Sequence, residues 1–187
     1  MARFVAPAVS AFVTFAVIGF YAALIPGVLS DALKDPRPLM AGWVLFVLFT
    51  VATFAVIATR SLASRTAMLG SLALFPLAVA LLVMAERLHQ LSLLLAASAL
   101  TGAAASLGYR GSLAVVNRIA PEERRGEVVS TYLIVMFSGN SLPVIGIGLL
   151  SANTSPAVAH TTFAGLIAAL AAVGLAVGWK YAPRDRS

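Results

Sequence analysis

Long apolar stretches alternate with short polar breaks along the chain. Six stretches stand out: Phe4–Leu29, Leu39–Thr59, Thr66–Ala85, Leu91–Val116, Val128–Leu150 and Ala157–Trp179. About 20 apolar residues are needed for a helix to cross the hydrocarbon core of a bilayer. The pattern therefore predicts six transmembrane helices. The connections are Ser30–Pro38, Arg60–Arg65, Glu86–Gln90, Asn117–Glu127 and Ser151–Pro156, all too brief for a soluble domain. Residues 1–187 read as a single six-helix transmembrane domain, all-α and polytopic. The first stretch is too long for a signal peptide and lacks a small-residue cleavage context.

Composition agrees with the pattern. Sixty percent of the 187 residues are hydrophobic and 11% are charged, where a soluble domain carries roughly a quarter charged residues. Mean hydropathy is +0.97. The natural solvent for such a surface is lipid. The absence of Cys removes disulfide and thiolate-metal schemes. A net charge of +6 raises nucleic acid as a partner, but the charges sit at the ends of the apolar runs. One set of ends holds Arg3, Arg60, Arg65, Arg118, Arg124, Arg125, Lys180, Arg184 and Arg186, and the other only Lys34, Arg37 and Arg87. Cytoplasmic ends are enriched in Lys and Arg. The expected placement is a bacterial inner (plasma) membrane, multi-pass, with both termini cytoplasmic. Its basic character then requires no nucleic acid. Trp43 and Trp179 fall at the expected interfaces, where amphipathic rings prefer to sit.

The helices differ in ways that bear on function. In the fourth, Ala96–Ala105 is almost entirely small, and Ser106, Gly108, Gly111 and Ser112 continue the trend. Small side chains let helices approach closely in lipid. Gly174 and Gly178 give the sixth helix a GxxxG spacing, for packing within the chain or against another subunit. In the fifth, Pro143 deprives the Gly139 carbonyl of its helical donor, which predicts a bend beside Asn140 and Ser141. Arg110 lies about two turns inside the fourth helix. A guanidinium at depth costs about 2.5–3.5 kcal/mol on insertion scales and usually faces a bundle interior or cavity. Snorkelling or structural pairing competes with anion recognition there, with Tyr109 and Asn117 nearby. Helical spacing aligns Ser106, Arg110 and Asn117 on the fourth helix, and Ser10, Thr14 and Tyr21 on the first. Two such stripes suggest a shared aqueous cavity, with Asn140 a further wall residue.

No Asp or Glu is expected well inside a span; Glu127 sits at an edge, and His89 and His160 read as interface residues. Paired carboxylates, an HExxH, a phosphate-binding glycine loop and a Ser/His/Asp set are all missing from the pattern. The expectation is a protein that is not an enzyme and needs neither cofactor nor metal.

The segment Asn117-Arg-Ile-Ala-Pro121-Glu-Glu-Arg-Arg125-Gly-Glu127, followed by Gly139-Asn-Ser-Leu-Pro143, resembles the fourth-to-fifth helix region in the carboxyl-terminal six-helix half of the major facilitator superfamily. The opening Gly19-Phe-Tyr-Ala-Ala-Leu-Ile-Pro-Gly27 extends the likeness over most of the chain. The resemblance implies alternating-access transport of a small molecule, with the first and fourth helices lining a central cavity. It also implies a gate in which a basic loop, here Arg60 and Arg65, meets an acidic residue, here Glu127. That loop lacks the family's usual Gly and Asp, so positive-inside anchoring is the competing reading. A full family member has about twelve helices. This chain has half, which leaves a fragment or split gene, a half that forms a homodimer or joins a complementary six-helix half, or a remnant without transport. The alternative class is a non-transporting membrane scaffold or assembly subunit. The apparent lack of a membrane carboxylate points to facilitated diffusion or to a coupling group on a partner.

Overall fold

A computed structural model of the protein describes residues 2–33 and 37–181. Its helices are α1 (Ala2–Gly27), α2 (Pro38–Ala58), α3 (Ser64–Leu88), α4 (Leu91–Ile119), α5 (Arg125–Asn153) and α6 (Pro156–Tyr181). A π turn, Val28–Ala32, follows Pro26 at the end of α1, and a 3-10 turn, Glu122–Arg124, leads into α5. Among the described residues there is no strand. All six helices are long and apolar enough to cross a membrane. The protein is an all-α polytopic bundle.

Helix ends differ from the hydropathy bounds because backbone capping, rather than apolarity, sets them. Pro38 and Pro156 occupy first-turn positions, where their missing N–H costs nothing. At the end of α3, His89 adopts the left-handed conformation (φ 52°). The Gln90 N–H then bonds the Ala85 carbonyl at 3.0 Å, and the His89 N–H bonds that of Glu86 at 3.3 Å. This is a Schellman closure. It places Glu86 in the last turn of α3, where hydropathy had assigned it to a connection.

The centre is formed by α1 and α4. On α1, Phe20, Tyr21, Ile25 and the adjoining Leu29 are fully enclosed, together with Phe75 and Leu82 of α3 and Phe163 of α6. Helix α1 packs on α5 as α4 packs on α2, and α1 meets α6 as α4 meets α3. The pairs α1–α4 and α3–α6 each pack against one another, while α1–α2 and α4–α5 barely touch. Exchanging the first three helices with the last three preserves these pairings, except that α5 also packs on α6 where α2 and α3 make no comparable contact. Three being odd, the two sets run upside down relative to each other, an inverted repeat.

Lipid offers no hydrophobic drive for helix association, so close packing must supply it. Gly102 of α4 lies on the Leu48 carbonyl of α2, and Gly139 of α5 on the Phe12 carbonyl of α1. A methyl group at either position would overlap backbone. Gly174 and Gly178 of α6 face Leu72, Val9, Leu69 and Ala6. The GxxxG face is thus used within the chain.

Helices α1, α3 and α5 begin at one end, where Arg60, Arg65, Arg118, Arg124, Arg125 and Lys180 gather. The far end carries Asp31, Arg37, Glu86, Arg87, His89 and His160. Lys34, Arg184, Arg186 and the side chain of Arg3, which enter the charge count above, lie outside the described residues.

Candidate functional site

Ser10, Thr14 and Tyr21 recur at helical spacing on α1, and all three are buried. Ser10 Oγ lies 3.4 Å from Ser71 Oγ of α3. The Tyr21 hydroxyl accepts a bond from Thr101 Oγ1 of α4 at 3.5 Å. Thr14 abuts Gly108 of α4, and its Oγ1 has no hydrogen-bond partner among the described residues. Ser106 on α4 is nearly enclosed and donates to the Ala103 carbonyl at 2.9 Å. Ser10, Thr14 and Tyr21 thus lie in the seam where α1 meets α3 and α4, through Ser71, Gly108 and Thr101.

A different side of α1 is only partly covered, along half-buried Phe15, buried Gly19 and exposed Ala22. The Phe15 ring is flanked by Tyr109 of α4 and by Phe137 of α5, each with centroids 6.1 Å away. One turn on, Asn140 of α5 backs Gly19. Asn140, Ser141, Val144, Ala22 and Ala23 border a shallow cleft of about 440 Å³. Tyr109 and Asn140 therefore flank one partly open face of α1, while Thr14 and Tyr21 are turned away from it.

Arg110 projects toward the end of α2. Its Nη2 donates to the Thr59 carbonyl at 2.6 Å and its Nη1 to the Arg60 carbonyl at 3.3 Å. Thr59 and Arg60 lie just past the last turn of α2; the Thr59 carbonyl also accepts the Leu62 N–H at 3.0 Å, and the negative end of the helix dipole there favours a cation. Arg65 treats α6 in the same way, donating to the carbonyls of Trp179 at 3.2 Å and Gly178 at 3.4 Å. Both arginines thus cap a neighbouring helix. The Glu127 carboxylate accepts two bonds from Arg124, at 2.7 and 2.8 Å. Arg60 supplies a carbonyl while its side chain stays exposed. The structure does not gather Arg60, Arg65 and Glu127 into one network. Asn117 is exposed and bonds the Leu113 carbonyl at 3.0 Å.

A further site lies at the far end. His160 Nδ1 of α6 lies 2.7 Å from Glu86 Oε1 of α3, and each side chain is only 8% exposed. Phe20 meets the imidazole edge-on at 5.1 Å and stacks on Phe163 at 4.8 Å. A cavity of about 390 Å³ adjoins the pair, bordered by Val28, Asp31, Arg87, His89 and Pro156. The expected absence of a buried carboxylate is thereby corrected. Glu86 is enclosed because the Schellman turn extends α3 past the apolar run and the start of α6 packs over it. The sequence did carry a signal: Glu86 and His160 both fall within one turn of predicted helix ends on the same side. Among the described residues, no group of three His, Asp or Glu could hold a metal ion.

Comparison with protein-family models and with curated proteins finds no match to this chain.

Proposed function

We propose that this protein is a six-helix half-transporter of the major facilitator type. It moves a small molecule by alternating access, as a homodimer or with a complementary half. The inverted-repeat packing of α1–α3 against α4–α6 carries the reading, because nested three-plus-three repeats are the plan of each half of such transporters. The open face with Tyr109 and Asn140 supports it by offering a wall that a second half would complete. Both termini lie in the cytoplasm of a bacterial inner membrane in this reading, on the strength of the arginine-rich end.

Mass measurement of the purified chain in detergent and nanodiscs, followed by uptake assays in vesicles, tests the proposal. A dimer that catalyses saturable uptake is expected. A strict monomer that moves no solute, alone or with a co-expressed half, would overturn it. The scaffold alternative loses support, since the small-residue faces of α4 and α6 are occupied inside the bundle.

A further inference from the structure

At the arginine end, a groove of about 980 Å³ runs between the start of α3 and the end of α6. Its inner part is apolar, bordered by Leu69, Gly70 and Ala73 of α3 and by Leu175 and Ala176 of α6. A methyl group added at Gly70 would meet nothing within 4 Å, so the missing side chain there deepens the groove. The mouth has a different character, with Arg65, Thr66 and Trp179 around it. At 1.5 Å per residue, Arg65 and Ala73 lie about 12 Å apart along α3. The groove thus joins a polar mouth to an apolar trough.

The charge at that mouth is not balanced. A guanidinium carries five N–H donors, and both Arg65 bonds to α6 leave from Nη2. Among the described residues its Nε meets no acceptor and no carboxylate pairs with it. No acidic residue borders the groove. Arg124 at the same end, by contrast, has the Glu127 carboxylate against it. Carbonyl dipoles orient Arg65 without cancelling its charge. Thr66, Ala73, Ala176 and Trp179 are exposed on the outside of a bundle whose helices are apolar enough to span a bilayer. The groove therefore opens on lipid, with a half-buried cation at the level where interfacial rings such as Trp179 prefer to sit.

We infer that this groove binds an anionic phospholipid. The headgroup phosphate meets Arg65 and Thr66, and an acyl chain lies in the trough beside Gly70, bridging α3 and α6. Charge complementarity selects this occupant. Guanidinium and phosphate form charge-assisted hydrogen bonds, roughly twice as strong as neutral ones. A soluble anion would leave the apolar trough empty, and a zwitterionic lipid brings a cation of its own beside Arg65. In the orientation proposed above the lipid comes from the cytoplasmic leaflet, where basic pockets between helices take anionic headgroups.

Native mass spectrometry tests the site on the full chain, released from micelles holding equal amounts of dioleoylphosphatidylglycerol and dioleoylphosphatidylcholine. The phosphatidylglycerol should be retained about fivefold over the phosphatidylcholine, the factor for one arginine at an anionic surface. Gly70→Leu/Ala176→Leu fills the groove while leaving Arg65 and its two α6 bonds in place, and should lose the preference. Gly148→Leu, at an exposed α5 position with equally open space, should keep it. Arg65→Ala should lose it too; if that variant does not fold, the filled groove decides alone. Equal retention of the two lipids, or a preference that survives in the filled groove, would overturn the site. The lipid should also raise the thermal midpoint of the native chain, as any ligand of the folded state does. An equal rise with inorganic phosphate would make the occupant a soluble anion and refute the proposal. The chain contains no Cys, so a benzophenone can be attached at Ala176→Cys alone. In nanodiscs containing phosphatidylglycerol it should capture that lipid, and capture of a second copy of the chain instead would overturn the assignment. These readouts are independent of transport, so their failure leaves the half-transporter reading standing.

Discussion

Thr14 and Arg110 were both cavity candidates from the sequence, and the two have different fates. Thr14 Oγ1 is fully buried without a partner. A buried unsatisfied hydroxyl costs about 1–3 kcal/mol, and valine has nearly the same shape. Thr14→Val is therefore expected to raise the thermal midpoint in detergent, with transport unchanged. A loss of transport at preserved stability would place a water-filled wall at Thr14 during the cycle. Arg110 makes charge-assisted bonds to the carbonyls that end α2, and such bonds contribute about 1.5–3 kcal/mol each at most. Arg110→Ala should lower stability by an amount of that order, and Arg110→Lys should recover part of it through the helix dipole. Equal stability of all three proteins would remove the capping role. The depth of Arg110 was legible from its distance to the helix end. Its partner was not, because backbone carbonyls leave no mark in a residue pattern. Glu86 was misplaced for a related reason: a Schellman turn at a histidine lacks the glycine that usually announces one.

All six helices were legible, since a run of about 20 apolar residues has few other fates. How they pack was less so. The small residues of α4 and α6 signalled close approach without saying to what, and the structure answers with α2, α3 and α1. The glycines of α4 and α5 divide into two classes with opposite expectations. At Gly139 an added methyl overlaps the Phe12 backbone, and at Gly102 the Leu48 backbone. Overpacking of a tight contact costs about 1–3 kcal/mol, and backbone cannot rotate aside as a side chain can. Gly139→Ala and Gly102→Ala should therefore each lower the thermal midpoint and the yield of folded protein. Gly146 and Gly148 of α5 have nothing within 4 Å of such a methyl. Gly146→Ala should be neutral or slightly stabilising, as alanine is the better helix former. If all of these variants behave alike, helix approach is not what these glycines secure.

Tyr109, Phe137 and Leu77 are all exposed on the isolated chain, and for a membrane protein that exposure has two meanings. A side chain outside the bundle meets either lipid or water, and only the second is compatible with a transport pathway. On the half-transporter reading, the face shared by α1, α4 and α5 borders a water-filled cavity between two halves. Leu77 on α3 then faces acyl chains. A single cysteine in this Cys-free protein distinguishes the two environments, because charged maleimides react with thiols in water and not in hydrocarbon. Phe137→Cys and Tyr109→Cys in the membrane-inserted protein should label readily, and Leu77→Cys, close to mid-span, should not. Labelling at Phe137 should also rise and fall with the conformational state, since alternating access admits water from one side at a time. Protection at all three positions would mean that lipid covers the open face. The chain would then have no aqueous path along α1, and the transport reading would fail even if the protein proved dimeric.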